Sequence, residues 1–235
     1  MNFEEISVLI PTFNRGKFLP LFLMNIKAQH YPHDKITLII DDDGQDKFIK
    51  DEDFEDVKNY LHPIKLNYIT HKPKRTIGQK RNDLVKECKT KIMAFMDDDD
   101  IYFPTYLSYS YETLKENKLG CVGSDKMLFC MTDRNFDIHM IDCGNNQELI
   151  HEATIMFTKK WFGASCKFAN NSAGEGKNLF KGIGKVGITE IQKIMCCVQH
   201  GENTIQKLQF AKDNNKINID ITDDMKNILN KILKK

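Results

Sequence analysis

Residues 92–100 read Ile92-Met93-Ala94-Phe95-Met96-Asp97-Asp98-Asp99-Asp100, an unbroken apolar run that ends in four carboxylates. A short apolar run of this kind suits a strand covered on both faces, as in a parallel sheet. Adjacent carboxylates repel one another and raise one another's pKa. A solvated acidic turn is the plain explanation. Position argues for more, because ligands of open parallel sheets bind outside the carboxyl ends of the strands. A divalent cation offsets the repulsion, and Mg²⁺ or Mn²⁺ takes carboxylate oxygens. Asp97 and Asp99 point the same way if the segment stays extended.

The same design stands upstream. Residues 36–40 (ITLII) run into Asp41-Asp42-Asp43-Gly44, a second acidic cluster at a strand end. Residues 6–11 and 66–70 read as further strands. Between them, residues 17–29 carry Phe18, Leu21, Phe22, Asn25 and Ile26 at helical spacing. Residues 51–60 and 77–88 also read as helices, the latter with Leu84 and Val85 on its apolar face. Pro104 suits the first turn of a helix through Lys118. This alternation predicts an α/β fold, a parallel sheet with helices on both faces. After Gly120, residues 121–123, 126–132, 136–142 and 154–158 read as short strands, an antiparallel extension expected to continue the same sheet. Residues 172–187 are glycine-rich and expected to include a mobile loop. Within them Gly182-Ile183-Gly184-Lys185-Val186-Gly187 has dinucleotide-fingerprint spacing, but no strand precedes it and no helix follows, so it reads as loop. The expected organisation is one domain over residues 1–202, with halves 1–118 and 119–202, and a helical tail over 203–235.

Composition excludes several classes. Across 235 residues, 34 Lys and Arg balance 33 Asp and Glu, for a net charge of +1. A nucleic-acid partner held by bulk charge would need a basic excess. Hydrophobic residues at 41% are enough for a core, against an acidic disordered chain. The 7 cysteines are odd in number and form no C-x-x-C pair, which points to reduced thiols in a cytoplasmic protein, not a zinc ribbon or disulfide framework. No signal peptide and no membrane span are expected. Abundant Lys, Asn and Ile suit an AT-rich genome, parasitic or viral.

Four segments carry a resemblance. Residues 6–15 (ISVLIPTFNR), Ile39-Ile40-Asp41-Asp42-Asp43-Gly44, Gly78-Gln79-Lys80-Arg81-Asn82 and Ala94-Phe95-Met96-Asp97-Asp98-Asp99-Asp100 stand in order over residues 5–118. Together they resemble family 2 glycosyltransferases with the GT-A fold, a Rossmann-like sheet. The resemblance implies roles. Pro11, Thr12, Phe13 and Arg15 would line the site of the base and ribose of a nucleotide-sugar donor, a UDP-sugar favoured. Asp41 or Asp42 would accept hydrogen bonds from base or ribose, the extra Asp43 leaving the register open. Arg75, Lys80 or Arg81 would approach the donor. Asp97 and Asp98 would lie at the ribose or sugar, and Asp99 would ligate Mn²⁺ or Mg²⁺ at the diphosphate. His200, in Gln199-His200-Gly201-Glu202-Asn203-Thr204, resembles a late His segment that reaches metal or diphosphate.

An inverting transfer also needs a general base for the acceptor hydroxyl. Residues 173–180 (AGEGKNLF) resemble the family's base-bearing loop, with Glu175 as candidate and Glu152 and Glu190 as rivals. The Asp that usually follows is Gly176 here. The acceptor would be a glycan, glycolipid or glycoprotein, with no nucleic acid involved and a homo-oligomer open. Two other functions stay in view. A nucleotidyltransferase would carry a glycine-rich phosphate loop where Pro11-Thr12-Phe13-Asn14-Arg15 stands. A non-catalytic sugar-nucleotide-binding protein would bind without turnover.

Overall fold

The computed structural model describes residues 2–233 except 145, 166, 178, 182–184 and 204–207, so the centre of the fingerprint-like segment lies outside the described residues. The first part alternates as β1 (Ile6–Thr12), α1 (Leu19–Lys27), β2 (Ile36–Asp42), α2 (Phe54–Leu61), β3 (Lys65–Thr70), α3 (Ile77–Glu87) and β4 (Ile92–Phe95). Next come β5 (Ile101–Tyr102), α4 (Tyr106–Glu116), β6 (Cys121–Gly123), β7 (Lys126–Met131) and β8 (Asp137–Asp142). The chain closes with β9 (Met156–Thr158), α5 (Lys159–Ser165), β10 (Gly187–Ile188), β11 (Met195–Gln199), β12 (Lys216–Ile217) and α6 (Asp223–Leu233). Pro104 stands just ahead of α4.

Among the described residues, seven strands form one sheet in the order β10-β6-β9-β4-β1-β2-β3. The expected parallel core is present: β4, β1, β2 and β3 are parallel neighbours. Successive strand residues point to opposite faces, and both faces are buried. Val8, Ile10, Leu38, Ile40 and Ala94 pack with Phe18, Leu21, Phe22 and Ile26 from the α1 segment. Leu9, Ile39, Met93 and Phe95 pack with Leu84 and Val85 of α3 on the other side. Each such burial contributes on the order of 1.5–3 kcal/mol, which explains why the strands lack polar alternation.

The order also creates a switch point. The connection through α1 carries the chain from β1 to β2, whereas α3 leads back past β1 to β4. The chain thus leaves neighbouring strands in opposite directions, opening a crevice at the carboxyl ends of β1 and β4.

The later strands depart from expectation. β9 continues the first sheet antiparallel to β4, but β7 and β8 do not join it. They belong to a second, five-stranded sheet, β12-β8-β7-β11-β5. The reason lies between β6 and β7. The Ser124 N–H donates to Thr154 Oγ1 (2.9 Å) and the Lys126 N–H to Ser124 Oγ (3.2 Å). Side chains thus replace ladder bonds there and the chain turns out of the first sheet. The terminal segment also packs on the body: β12 pairs with β8, and α6 lies on α1 with Met225 and Leu229 buried.

Candidate active site

A cleft of about 270 Å³ opens at the switch point. Its walls are Pro11, Thr12, Phe13 and Arg15 from the end of β1, Lys74, Arg75, Ile77, Lys80 and Arg81 around the start of α3, Asp97, Asp98 and Asp99 after β4, and Ser172. Lys74 Nζ lies 4.1 Å from the centre of the Phe13 ring, a cation against an aromatic face.

The acidic cluster after β2 is occupied by structural work. Asp42 accepts the N–H groups of Gly44 and Phe48 (both 2.8 Å) and the Tyr68 hydroxyl, which shapes the loop after β2. Asp41 pairs with Arg75, which also reaches Asp83 at 3.1 Å. Burial raises the Asp41 carboxyl above its usual range, and Arg75 opposes this. Asp43 is fully buried and takes Lys80 Nζ at 2.6 Å; the same Nζ donates to the Thr12 carbonyl at 2.6 Å. Lys80 therefore ties the ends of β1 and β2 to α3. Asp41 and Asp42 do not line the cleft; they buttress the groups that do.

The four aspartates after β4 diverge. Asp97 accepts from Arg81 Nη2 at 3.0 Å. Asp98 is buried and accepts from the Thr12 hydroxyl. Burial, then the neighbouring Asp99, pushes its carboxyl well above the usual range. Asp99 Oδ2 lies 3.0 Å from His200 Nε2 and 3.4 Å from Arg15 Nη2. Asp100 accepts the Val198 N–H at 2.8 Å, joining the run to β11.

His200 is fixed from several sides. The Glu202 N–H donates to its Nδ1 (3.2 Å), its own N–H donates to Asn203 Oδ1 (2.7 Å), and its ring centre lies 4.8 Å from that of Phe18. Glu202 in turn holds Arg15 and Lys17 (3.0 and 2.6 Å). The H-bond from Lys17 and the charges of both cations hold its carboxyl below the usual range. A segment 101 residues beyond Asp99 is thereby brought against the carboxylate run.

Glu175 arrives by a different route. Residues 168–175 dock on the first turns of α3. The Gly78 N–H donates to the Asn171 carbonyl (3.0 Å), the Ile77 N–H to Ser172 Oγ (3.3 Å), and Asn82 exchanges two bonds with the Phe168 backbone (2.9 and 3.0 Å). The approach is so close that a Cβ on Gly78 would stand 1.8 Å from the Ala169 carbonyl oxygen. The first part of the glycine-rich stretch is therefore pinned to a helix. Its docking presents Glu175 Oε1 3.4 Å from Arg81 Nε. Burial raises the Glu175 carboxyl above its usual range; Arg81 pulls against this and Glu152 adds to it.

Glu175 lines a second compartment of about 430 Å³, which shares Ile77, Arg81, Asp97, Asp99 and Ser172 with the first. Arg81 is the seam. It is 4% exposed, stacks 4.7 Å over Phe95, and still has Nε and Nη1 without a hydrogen-bond partner. Burial alone would lower its pKa, but Asp97, Glu175 and Glu152 raise it, so it stays charged. A buried guanidinium with open donors between two compartments is equipped to hold an anionic or oxygen-rich ligand.

The residues brought together at the cleft are thus Pro11, Thr12, Phe13, Arg15, Arg75, Lys80, Arg81, Asp97, Asp98 and Asp99, with His200 against Asp99 and Glu175 across the seam. Sequence reasoning gave no role to Lys74, Ser172 or Glu202. Glu190, a rival base, is exposed and pairs with Lys193 at 3.1 Å.

A parallel α/β sheet with a cleft and a carboxylate run at its switch point, followed by antiparallel strands, defines a fold of the GT-A glycosyltransferase type. The structure matches S. aureus TarS 1-349 with a TM-score of 0.65 at 15% identity, over 83% of this chain and 60% of that one. It also matches the mannosyltransferase PcManGT from Pyrobaculum calidifontis, in complex with GDP-Man and Mn²⁺, with a TM-score of 0.60 at 14% identity, over 89% and 59%. The family model described as glycosyl transferase family 2 matches residues 7–169, and the chain belongs to that family. A curated relative, an uncharacterized glycosyltransferase of Rickettsia bellii (strain RML369-C), is 26% identical over 113 residues, 48% of this chain and 15% of that protein. The chain thus spans about three fifths of the structures and a small part of the curated relative. The viral source suggested by composition finds no support in these relatives. No helix among the described residues is long and apolar enough to cross a membrane.

Proposed function

We propose that this chain is a metal-dependent, inverting glycosyltransferase domain that moves a sugar from a nucleoside-diphosphate sugar to an acceptor hydroxyl. The observation that carries the reading is Arg81, buried with open donors on the seam between two compartments, with carboxylates on either side. The smaller cleft takes the donor, with Phe13 and Lys74 toward the base. Support for the donor class comes from the neighbours, solved with UDP, UDP-GlcNAc and GDP-Man. A UDP-sugar remains our preferred donor.

Asp99 and His200 would hold Mn²⁺ or Mg²⁺. Their facing atoms are 3.0 Å apart. The two atoms are close enough for both to reach one ion, which takes such oxygen and nitrogen donors. Among the described residues no group of three His, Cys, Asp or Glu gathers to hold an ion, so Asp99 and His200 would hold it only together with oxygens of a bound donor. When bound, the cation neutralises charge on the departing diphosphate.

The chain's own groups do the rest. Arg15 and Arg81 face the donor from two sides and favour the leaving group's charge. Glu175 takes the proton from the acceptor hydroxyl. The oxygen forms its bond to the anomeric carbon as the bond to the diphosphate oxygen breaks, the electron pair leaving with the nucleoside diphosphate. Burial of Glu175 makes its carboxylate a stronger base.

The test is a panel of nucleotide sugars, each with and without Mn²⁺, read by melting temperature and by release of nucleoside diphosphate. Metal-dependent stabilisation with release by at least one donor is expected, and Glu175→Gln should keep the stabilisation while losing release. Release of inorganic diphosphate from a nucleoside triphosphate, or tight binding without turnover, would overturn the reading.

A further inference from the structure

Gly176 stands against another carboxylate. A Cβ built on it would lie 1.9 Å from Glu152 Oε1, 2.4 Å from Glu152 Cγ and 2.5 Å from Glu152 Cδ. The Glu152 side chain therefore fills the space that any side chain on residue 176 would need. It comes from a short 3₁₀ turn, Glu152–Thr154, just before β9. Glu152 is half-buried, lines the larger compartment with Glu175, and its carboxylate has no hydrogen-bond donor among the described residues.

The rest of that compartment sorts into two walls. His151, Glu152, Glu175 and Arg81 supply polar groups; His151 Nδ1 is buried with no partner, as are Arg81 Nε and Nη1. Met127, Phe129 and Ile141 from β7 and β8 supply an apolar face. An apolar face opposite a hydrogen-bonding face suits a sugar ring, whose C–H surface and hydroxyls lie on different sides. The charge leans one way: the lining holds five carboxylates, Asp97, Asp99, Asp100, Glu152 and Glu175, against Arg81 within it and Arg15 behind Asp99. An anionic acceptor would meet repulsion there.

We propose that Glu152 is an acceptor-binding residue, that the missing side chain at Gly176 reserves its place, and that the acceptor is an uncharged polyhydroxyl compound of the sugar class. The assignment rests on the transferase reading and deepens it. Glu152 accepts a hydrogen bond from one acceptor hydroxyl while Glu175 takes the proton of another. The transferred proton ends on Glu175, and the leaving electron pair goes with the nucleoside diphosphate.

The test measures how far methyl glycosides of glucose, mannose and N-acetylglucosamine accelerate nucleoside-diphosphate release from UDP-GlcNAc or GDP-mannose. The matching 6-phosphates are run beside them. Uncharged glycosides should accelerate release and the phosphates should not. Glu152→Ala should reduce the acceleration by roughly ten- to a hundredfold, the worth of a hydrogen bond to a charged group. Gly176→Ala should do the same, because its methyl group displaces the flexible end of Glu152. Glu152→Ala with Gly176→Ala should be no worse than either alone. Glu152→Ala with Gly176→Asp should recover part of the acceleration, since a carboxylate re-enters the same space. Melting temperatures of all variants separate these effects from unfolding. Multiplicative losses in the double variant, full acceleration in Glu152→Ala, or equal acceleration by the phosphates would overturn the proposal. Release that no glycoside accelerates overturns this proposal alone; no release with either donor overturns the transferase reading with it.

Discussion

Lys80→Met tests whether the cleft is assembled by a buried ion pair. Lys80 is 2% exposed, and its Nζ meets Asp43 Oδ1 and the Thr12 carbonyl oxygen, each at 2.6 Å. Methionine keeps most of the aliphatic stem and volume, so the change removes the charge with little new void. Asp43 would then stay buried with the Arg75 N–H as its remaining donor among the described residues. Breaking a buried pair from one side costs about 3–5 kcal/mol, because the other charge is left uncompensated. The unmet Thr12 carbonyl adds about 1 kcal/mol. The surviving Arg75 bond trims the total, giving an expected loss of about 3–5 kcal/mol. With a urea slope of about 1–3 kcal/mol/M, the midpoint should fall by at least roughly 1 M. Lys80→Met combined with Asp43→Asn should recover a large part, since asparagine still accepts from Arg75 without a buried charge. The coupling between the two sites should be about 1.5 kcal/mol or more. A loss below about 1 kcal/mol, or strictly additive changes, would refute the account of Lys80 as the strut between β1, β2 and α3.

Three further outcomes follow from the same geometry. Gly78→Ala, which would normally favour a helix by about 1 kcal/mol, should instead lower the urea midpoint and donor turnover together, because its Cβ meets the Ala169 carbonyl; unchanged turnover would mean the Glu175 loop does not depend on this contact. Asp98→Asn should stabilise the metal-free protein at neutral pH: the folded carboxyl titrates above the unfolded one, so its contribution is present at low pH and is lost as pH rises through that window. Parallel pH dependences of variant and wild-type melting above roughly pH 4 would count against it. Turnover should fall as pH drops through the raised Glu175 value, and Glu152→Gln should move that acidic limb to lower pH by removing a like charge; a limb that stays in place would show that the two carboxylates do not interact.

The parallel core was legible because its signal is local. Runs such as ITLII and IMAFM are apolar throughout only where both faces are covered, and their ends fall where carboxylates begin. Asn25 also stood visibly among the apolar positions of α1, and its amide bonds the Asp100 carbonyl (2.8 Å) and the Tyr102 N–H (3.2 Å). The second sheet was not legible. Strands of a few residues such as β5, β11 and β12 choose partners by tertiary contact, and the turn at Ser124 depends on Thr154, thirty residues later. The same limit applies to the site. Sequence reading offered Arg75, Lys80 or Arg81 as groups approaching the donor; all three line the cleft, but what it could not show is that Arg75 also buttresses Asp41, Lys80 holds Asp43 and Arg81 forms the seam. Glu152 could be named only as a rival to Glu175, because its place depends on an absent side chain twenty-four positions away.

The run Asp97–Asp100 looks redundant as text, yet each member answers to a different part of the chain: Arg81 in α3, Thr12 in β1, His200 beyond β11, and Val198 within it. No one of the four can be exchanged for its neighbour. In an alignment of relatives, these adjacent columns should therefore not vary as a block. Columns 97, 98 and 99 should each covary with a separate distant column, while 100, tied to a backbone N–H, should tolerate no compensating change at all. A stretch that reads as low-complexity would then behave, over evolutionary time, as four independent long-range contacts.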